Sequence, residues 1–521
     1  MLTDEPQMPI ILANRIEPTS LGVTLFFAVL LVGLITCLAL EEKIHAKKSI
    51  IAGVFAIVCL LAGSFFEILP FQAVVVGSHH LISHSEVAGE YLVEDGEGGT
   101  DDQTAQEIRI TPLQDERSSA THSEHPIYVD GHQIHMPVYI PGIDWGVIAI
   151  IMGSSLFVDV TSRSGLFTWI AIRVTKASGG DPLKLLASYG VMTVIFSAVL
   201  NNVTAMIIVG SLTAVSLEKL NRRQQLLAFL FLEGLLTNIG GLLTLISSVP
   251  NIIVGTAANI DFATFFIKSS PFVAVTTAVT IWMGAKLFGI HSLKTVDERE
   301  SALRTVADFD ENDGIQSRGF FYFAAVMLAL FIVTIATTSI LPYIDDLQMG
   351  FVALSFAGIM LLRFKSEVDK FYRALDWDLL GFFMALFVVI NVMEHAGVLD
   401  LIGLGLAKVI ELGDQIGTGA ILVCAALFSS VTDNIPLAAM LAKILKGLGT
   451  PDSSPLWWAV IFGANLGGNI TPIGSASTLV AVTIMHKHGL TVSFAKFVKI
   501  ALPFAALQIA LATIYVLAIL S

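Results

Sequence analysis

Charge is what this sequence has little of: Asp, Glu, Lys and Arg make up 14% of 521 residues, against roughly 25% in a soluble domain. Cysteine is scarcer still. Cys37, Cys59 and Cys424 are the three, each inside an apolar run, which predicts buried small hydrophobes and disfavours a disulfide or metal set. No His-Glu-x-x-His and no Gly-x-Ser-x-Gly motif is written anywhere, so neither a zinc-protease helix nor a nucleophile elbow is on offer. His486 and His488 lie only near the end of one of the interrupted segments described below. An intramembrane enzyme is therefore a weaker reading than transport, as is a scaffold or a channel. The first apolar run lacks a basic leader, so no cleavable signal is expected.

What the chain has in quantity is apolar length. Hydrophobic residues make up 55% of it, and the runs at 21–40, 51–69, 319–340 and 501–520 each suffice for a bilayer crossing of about 20 residues. The expectation is an all-α polytopic membrane protein, living in the lipid bilayer of a plasma-type (inner) membrane. The net charge of −14 is mostly local, because residues 77–137 carry 12 Asp/Glu against Arg109 and Arg117. Nucleic acid is not expected as a partner. Seven of the 12 His lie there too (His79, His80, His84, His122, His125, His132, His135). Metal or pH sensing is conceivable for them, but a solvated acidic loop is the simpler expectation. The alternation in "HPIYVDGHQIHMPVYI" predicts a strand pair turning at Asp130-Gly131.

The chain repeats itself. "DWGVIAIIMG" at Asp144 answers "DWDLLGFFMA" at Asp376, 232 positions on; Gly165 answers Gly397, and Asn202 answers Asn434, at the same offset. "TNIGGLLTLIS" and "ANLGGNITPIG" set Asn238 over Asn465 at 227, and Pro271 over Pro503 restores 232. The core is thus two homologous halves, roughly 144–288 and 376–520. The organisation expected is 1–76, two N-terminal transmembrane helices; 77–137, an acidic His-rich extracytoplasmic loop; 138–288, the first repeat; 289–375, an inner loop and two linking helices; and 376–521, the second repeat. Lys and Arg in short loops place 41–50, 163–184, 290–318 and 363–374 inside, with the N-terminus and the acidic loop outside. That leaves an odd number of crossings between the hairpins and makes the repeats inverted. Lys443 and Lys446 are the exception, landing outside.

Each half contains two segments that read poorly as continuous helices. In 182–215 and 416–447 a polar knot sits midway ("LNNVTAM", "TDNIPLAAM"), which predicts a re-entrant helical hairpin. In 224–258 and 455–487, "TNIGGLLTLISSVPN" and "GANLGGNITPIGSAS" predict a broken transmembrane helix. Irregular backbone at membrane depth is tolerated only where it lines a cavity or is buried in protein, and paired interruptions point to a transporter binding site. Oxygens for Na⁺ would come from Asn202, Asn238, Asn434 and Asn465, with Asn201, Thr204, Thr237, Thr244, Asn251, Thr432, Asn469, Thr471 and Ser475 as further ligand candidates. Asp159, Glu233, Glu394, Asp400 and Asp433 are carboxylates near membrane depth with no obvious basic partner, each a functional hypothesis, although Glu394 and Asp400 border a segment expected at the interface, where plain solvent exposure is at least as strong an expectation. Asp433 aligns with Asn201, so one half holds a titratable oxygen where the other holds a neutral one. Asp159 and Glu233 are candidates for a proton relay.

"EGLLTNIGGLLTLISSVPNIIVGTAANIDFATF" and "SSVTDNIPLAAM", with "FGANLGGNITPIGSAS", resemble the ion transporter superfamily. The likeness is to the branch of arsenite permeases, the P protein and NhaD-type Na⁺/H⁺ antiporters, with citrate and dicarboxylate symporters as more distant relatives. The resemblance covers roughly 140–520. It implies two inverted repeats, an elevator-type exchange of access and a homodimer. This chain departs from the family at Leu200-Asn201-Asn202, where "LDN" is usual, and at Ser247-Ser248-Val249-Pro250-Asn251, where "GDPPN" is usual. Both departures remove a carboxylate from the first half. The reading is a secondary active ion transporter, favouring Na⁺/H⁺ exchange with Asp433 as the exchanging carboxylate, Na⁺ and H⁺ as coupling ions and no cofactor. A Na⁺-coupled citrate or dicarboxylate transporter is the alternative, and arsenite-type efflux the third.

Overall fold

The computed structural model describes residues 19–69, 72–77, 91–95, 107–112, 127–136, 139–140, 142–315, 317–341, 344–365, 368–432 and 434–520. Asp433 and the histidines His79, His80, His84, His122 and His125 lie outside the described residues.

The chain opens with α1 (Leu21–Ala39), a single turn α2 (Glu41–Ile44) and α3 (Lys48–Phe65). Then come β1 (Gln72–Gly77), at the entry to the acidic segment, and β2 (Tyr91–Asp95), β3 (Glu107–Pro112) and β4 (Ile127–Met136) within it, one antiparallel sheet ordered β1-β4-β3-β2. The expected turn at Asp130-Gly131 is not made. β4 runs straight through it, pairing with β3 over Ile127–Asp130 and with β1 over Gly131–Met136. A partner for each half of the strand keeps its ladder bonds going, and that tertiary gain overrides the local turn preference.

Two sets of seven helices follow the same order. The first is α4 (Trp145–Ser162), α5 (Leu166–Ala177), α6 (Pro182–Val199), α7 (Asn202–Lys219), α8 (Leu226–Gly240), α9 (Val249–Ala257) and α10 (Phe262–Leu287). Between the sets come α11 (Val296–Ala307), α12 (Arg318–Ala336), α13 (Ile344–Arg363) and α14 (Val368–Ala374). The second set is α15 (Trp377–His395), α16 (Val398–Ile410), α17 (Asp414–Ser429), α18 (Asn434–Gly447), α19 (Pro455–Gly467), α20 (Ala476–Lys487) and α21 (Phe494–Tyr515). Among the described residues, eight helices are long and apolar enough to cross a membrane: α1, α3, α4, α6, α10, α12, α15 and α21.

Local chemistry sets the matching boundaries. Asp144 and Asp376 cap α4 and α15 alike, each accepting a backbone N–H three residues on at 3.0 Å. The Trp after each cap reaches back to a carbonyl five residues earlier, Trp145 to Ile140 at 3.2 Å and Trp377 to Tyr372 at 2.8 Å. Gly165 and Gly397 end the first helix of each set at φ 81° and 72°, a left-handed geometry that glycine adopts without a Cβ penalty. Every residue of α8 except Leu227 and every residue of α19 except Pro455 is buried. These two half-helices form the interior around which the rest is arranged, as helices apolar all round require.

Three expectations need correction. Cys59 is buried, but Cys37 is half-buried and Cys424 exposed. Asp159 does have a basic partner, Arg163, at 3.2 Å one turn along α4, and a half-exposed pair of this kind needs no transport role. Glu394 pairs with Lys443 of α18, which puts the stray lysine and a depth carboxylate in one surface ion pair.

The segment 290–315, with α11 at its centre, straps one end of the first set. Leu293 N–H donates to the Asp181 carboxylate at 3.0 Å, which also caps α6 through Leu183 and Lys184. Ala302 lies on Gly180, and the Gly314 carbonyl would be 2.2 Å from any Cβ at Gly165. Glu311 accepts from Lys176 at 2.6 Å and pairs with Arg173 at 3.5 Å. The Lys176 hydrogen bond, with the charges of Lys176 and Arg173, holds the Glu311 carboxyl below its ordinary value. A depressed carboxylate contributes stability above its unfolded pKa of about 4.3, lost as pH falls through the lower folded value. The strap should thus stay seated at neutral pH and loosen in acid. E311Q is expected to speed tryptic cleavage within 290–318 at neutral pH, as high salt should in the parent chain; unchanged cleavage in both would detach Glu311 from the strap.

Candidate transport site

The two interrupted helices break where their glycines and prolines fall. α8 stops at Gly240, the chain passes through a short 3₁₀ turn over Leu245–Ser247, and α9 resumes with Pro250 in its first turn. α19 stops at Gly467, and α20 resumes after Ser475, whose Oγ accepts from Thr478 N. Backbone freed by such breaks needs side-chain partners when buried, and Ser, Thr and Asn supply them.

Three pairs of hydrogen bonds recur with equivalent residues in the two halves. Thr244 Oγ1 donates to the Ala198 carbonyl at 2.5 Å, and Thr471 Oγ1 to the Ser430 carbonyl at 2.5 Å. Ser197 Oγ donates to the Thr237 carbonyl at 2.7 Å, and Ser429 Oγ to the Ala464 carbonyl at 2.5 Å. These four bonds latch each hairpin tip to the break beside it. The third pair crosses between halves: Ser475 Oγ donates to Asn238 Oδ1 at 3.0 Å, and Ser248 Oγ to Asn465 Oδ1 at 2.8 Å. The same crossing holds for whole helices, since α7 packs on α20 and α18 on α9.

Around that crossing lie two groups of neutral hydrogen bonds, one about Asn238 and Asn469 and one about Asn465 and Asn251. Asn238 Nδ2 donates to Asn469 Oδ1 at 2.8 Å, and Ser477 Oγ to Asn238 Oδ1 at 3.0 Å. Asn465 Nδ2 donates to Asn251 Oδ1 at 2.8 Å, and Asn251 Nδ2 to the Gly241 carbonyl at 2.6 Å. Asn469 Nδ2 reaches Gln508 Oε1 at 2.8 Å, and Gln508 Nε2 reaches Thr280 Oγ1 at 3.1 Å. All these side chains are buried. No Lys or Arg belongs to either group among the described residues.

Of the residues singled out from sequence, Asn238, Asn251, Asn465, Asn469 and Ser475 meet here, and Thr244 and Thr471 form the latches. Asn202 lies against the first break: its Oδ1 accepts from Ser197 at 2.7 Å, and its Nδ2 would be 2.8 Å from a Cβ at Gly241. Others do different work. Asn201 caps α7 through Thr204 N at 2.8 Å. Thr237 Oγ1 donates to the Glu233 carbonyl at 2.7 Å within α8, and Thr432 Oγ1, just past α17, donates back to the Phe428 carbonyl at 2.7 Å. Asn434 opens α18, half-buried. The oxygens of Asn202, Asn238 and Asn465 already accept serine hydroxyls, so a cation would take them only by displacing those donors. Sequence reasoning passed over Ser197, Ser429, Ser248 and Ser477. The first two stand 232 positions apart beside the polar knots, a signal that was there to use. Gln508 and Thr280 lie outside the interrupted segments, in α21 and α10, and no pattern in the sequence marks them.

The citrate transporter family profile matches residues 127–463. An uncharacterized transporter of Mycobacterium tuberculosis is 30% identical over 381 residues, 72% of this chain and 86% of that protein. The P protein of Mus musculus is 26% identical over 452 residues, 72% of this chain and 54% of that protein. Among solved structures, the YdaH transporter of Alcanivorax borkumensis matches with a TM-score of 0.52 at 15% identity, over 76% of this chain and 92% of its own. MtrF of Neisseria gonorrhoeae, described with a class of antimetabolite efflux pumps, matches at 0.53 and 11% identity, over 91% of this chain and 94% of its own. The chain belongs to the citrate transporter family, of the ion transporter superfamily, and is an integral membrane transporter.

Proposed function

We propose that the chain is a secondary active transporter exchanging Na⁺ for protons, with Asp433 as the carboxylate that takes one or the other. The observation that carries this reading is the chemistry of the centre. Carboxamide and hydroxyl oxygens suit a hard cation, and among the described residues no basic side chain stands there to meet an organic anion. The two latched hairpin-and-break units, linked by crossed Ser–Asn bonds, support a reading of inverted repeats that move together as an elevator; a homodimer in a plasma-type membrane is proposed on the family resemblance. A Na⁺-coupled citrate or dicarboxylate transporter is the second reading. The family match favours it, and so does the start of α20, where Ser475 and Ser477 stand in for the basic groups an anion would otherwise need.

Reconstitution with a lumenal pH dye separates the two. Na⁺ or Li⁺ gradients alone should drive proton movement; silence with Na⁺ but uptake of citrate or succinate would sink the exchange reading. Asp433→Asn should abolish coupled proton movement, and full activity in that variant would remove Asp433 from the mechanism.

A further inference from the structure

Glu233 is fully buried in α8, with 1% of its surface exposed. Its Oε1 accepts from Thr213 Oγ1 of α7 at 2.5 Å, and its Oε2 has no partner. Several neighbouring helices carry ionisable groups: Lys184 and Tyr189 on α6, Glu218 and Lys219 on α7, Lys268 and Lys286 on α10, His486 and Lys487 on α20, Lys496, Lys499 and Tyr515 on α21, and Arg223 in the turn before α8. α19 carries none. Among the described residues no cation pairs with Glu233, whose one side-chain partner is the Thr213 hydroxyl. An ionised carboxylate in this position would be uncompensated.

A line of buried hydroxyls continues from it. Thr213 and Ser216 stand one turn apart on α7. Ser216 Oγ bonds Tyr189 OH at 2.8 Å, and Tyr189 OH bonds Thr175 Oγ1 of α5 at 2.5 Å. Thr175 lies beside Ser178, whose Oγ donates to its carbonyl at 2.6 Å. Gly179 and Gly180 follow, under the strap. The line therefore runs from Glu233 at depth to the strapped end of the first set. The second set has nothing like it: the equivalents of Thr175, Tyr189, Thr213, Ser216 and Glu233 are Ala407, Ile421, Leu445, Leu448 and Val460. Helix packing alone gives no reason for five polar side chains in one half and five apolar ones in the other.

We propose that Glu233 is a second proton-binding site of the transporter, in the half that lacks the Asp433 carboxylate, reached from the strapped end along Thr175, Tyr189, Ser216 and Thr213. On loading, a hydronium ion at that end gives up one proton and leaves as water. Each hydroxyl takes a proton from the side facing that end and passes its own on, with a hop between Ser216 and Thr213, and Thr213 Oγ1 delivers the last one to form the O–H bond at Oε1. The carboxylate charge is neutralised; on release the bond breaks and the proton leaves with water. The proposal deepens the proton-coupled reading above and rests on it for its role in transport, but the site itself is tested without transport.

The full chain in lipid vesicles, free of Na⁺ and carboxylates, is followed by infrared difference spectroscopy across a pH titration. The expected result is a protonated-carboxyl band that is lost in E233Q, shifted in frequency in T213V as its hydrogen-bond donor goes, and slower to appear after a pH jump in Y189F. E233Q keeps the side-chain volume, and E233D, which keeps the acid, should restore a band if E233Q folds poorly. A band set unchanged in E233Q would overturn the proposal, even with Na⁺/H⁺ exchange intact. A Glu233 band without any Na⁺-driven proton flux would instead overturn the exchange reading and leave the site standing.

Discussion

Asn465→Ala is expected to lower stability by about 2–6 kcal/mol and to abolish transport. The bonds themselves are the smaller part: an interhelical hydrogen bond within a membrane protein averages about 0.6 kcal/mol. The larger part is what alanine leaves behind. Asn465 Oδ1 accepts from Ser248 Oγ, and its Nδ2 donates to Asn251 Oδ1, both at 2.8 Å. Each becomes a buried polar group with no partner, at about 1–3 kcal/mol apiece. Ser248→Ala on the same background removes one of the two orphans, so the double variant should lose less than the sum of the singles, by roughly 0.5–3 kcal/mol. Thr432→Ala is the contrast. Among the described residues its hydroxyl bonds the Phe428 carbonyl in the turn that follows α17, at 2.7 Å, and its loss should stay within about 0.5 kcal/mol. Thermal unfolding of the solubilised protein reads all four. An Asn465→Ala midpoint no lower than that of Thr432→Ala would mean the crossed bonds do not hold the halves together.

The difference between those two residues was not visible in the chain. Both sit in polar knots, and composition alone made both into ligands. The helix ends fall within a few residues of the interruptions marked in the sequence, because Gly, Pro and Asn interrupt apolar runs wherever backbone must leave the helix. Which oxygen faces which partner depends on rotation about each helix axis, and apolar runs buried on all sides carry no moment to reveal it. The ion pairs divide the same way. Asp159 and Arg163 stand four apart, a spacing that brings side chains together on a helix, so the partner that the sequence reading denied Asp159 was there to be read. Glu394 and Lys443 meet only because α15 and α18 pack. At Asp130-Gly131 a sound local turn signal failed because β4 finds partners along both of its halves, and no single-strand pattern contains its neighbours. Glu233 was marked by its charge, while the hydroxyl line beside it depended on where α5, α6 and α7 converge.

Gly467→Ala and Gly405→Ala should move stability in opposite directions, although both add one methyl group to a helical glycine. In a helix interior alanine is favoured over glycine by about 1 kcal/mol. At Gly405 of α16 nothing lies within 4 Å of the new Cβ, so that gain should appear nearly in full. At Gly467 the Cβ would sit 2.2 Å from the Ala426 carbonyl oxygen and 2.8 Å from Ser429 Cβ. The first of these is backbone and cannot swing aside, so α19 must draw away from α17. Overpacking of this kind costs about 1–3 kcal/mol, and occasionally more. It also pulls on the Ser429 and Thr471 bonds that latch the hairpin to the break. Gly240 repeats the geometry in the first half, 2.6 Å from the Val194 carbonyl oxygen and 2.9 Å from Ser197 Cβ. Two backbone-to-backbone contacts at equivalent positions argue that each hairpin and its broken helix travel as one rigid unit. If so, Gly240→Ala and Gly467→Ala should each lower the unfolding midpoint and silence transport, while Gly405→Ala raises the midpoint and leaves transport intact. A transport-competent Gly467→Ala protein with an unshifted midpoint would show that hairpin and break slide past each other instead.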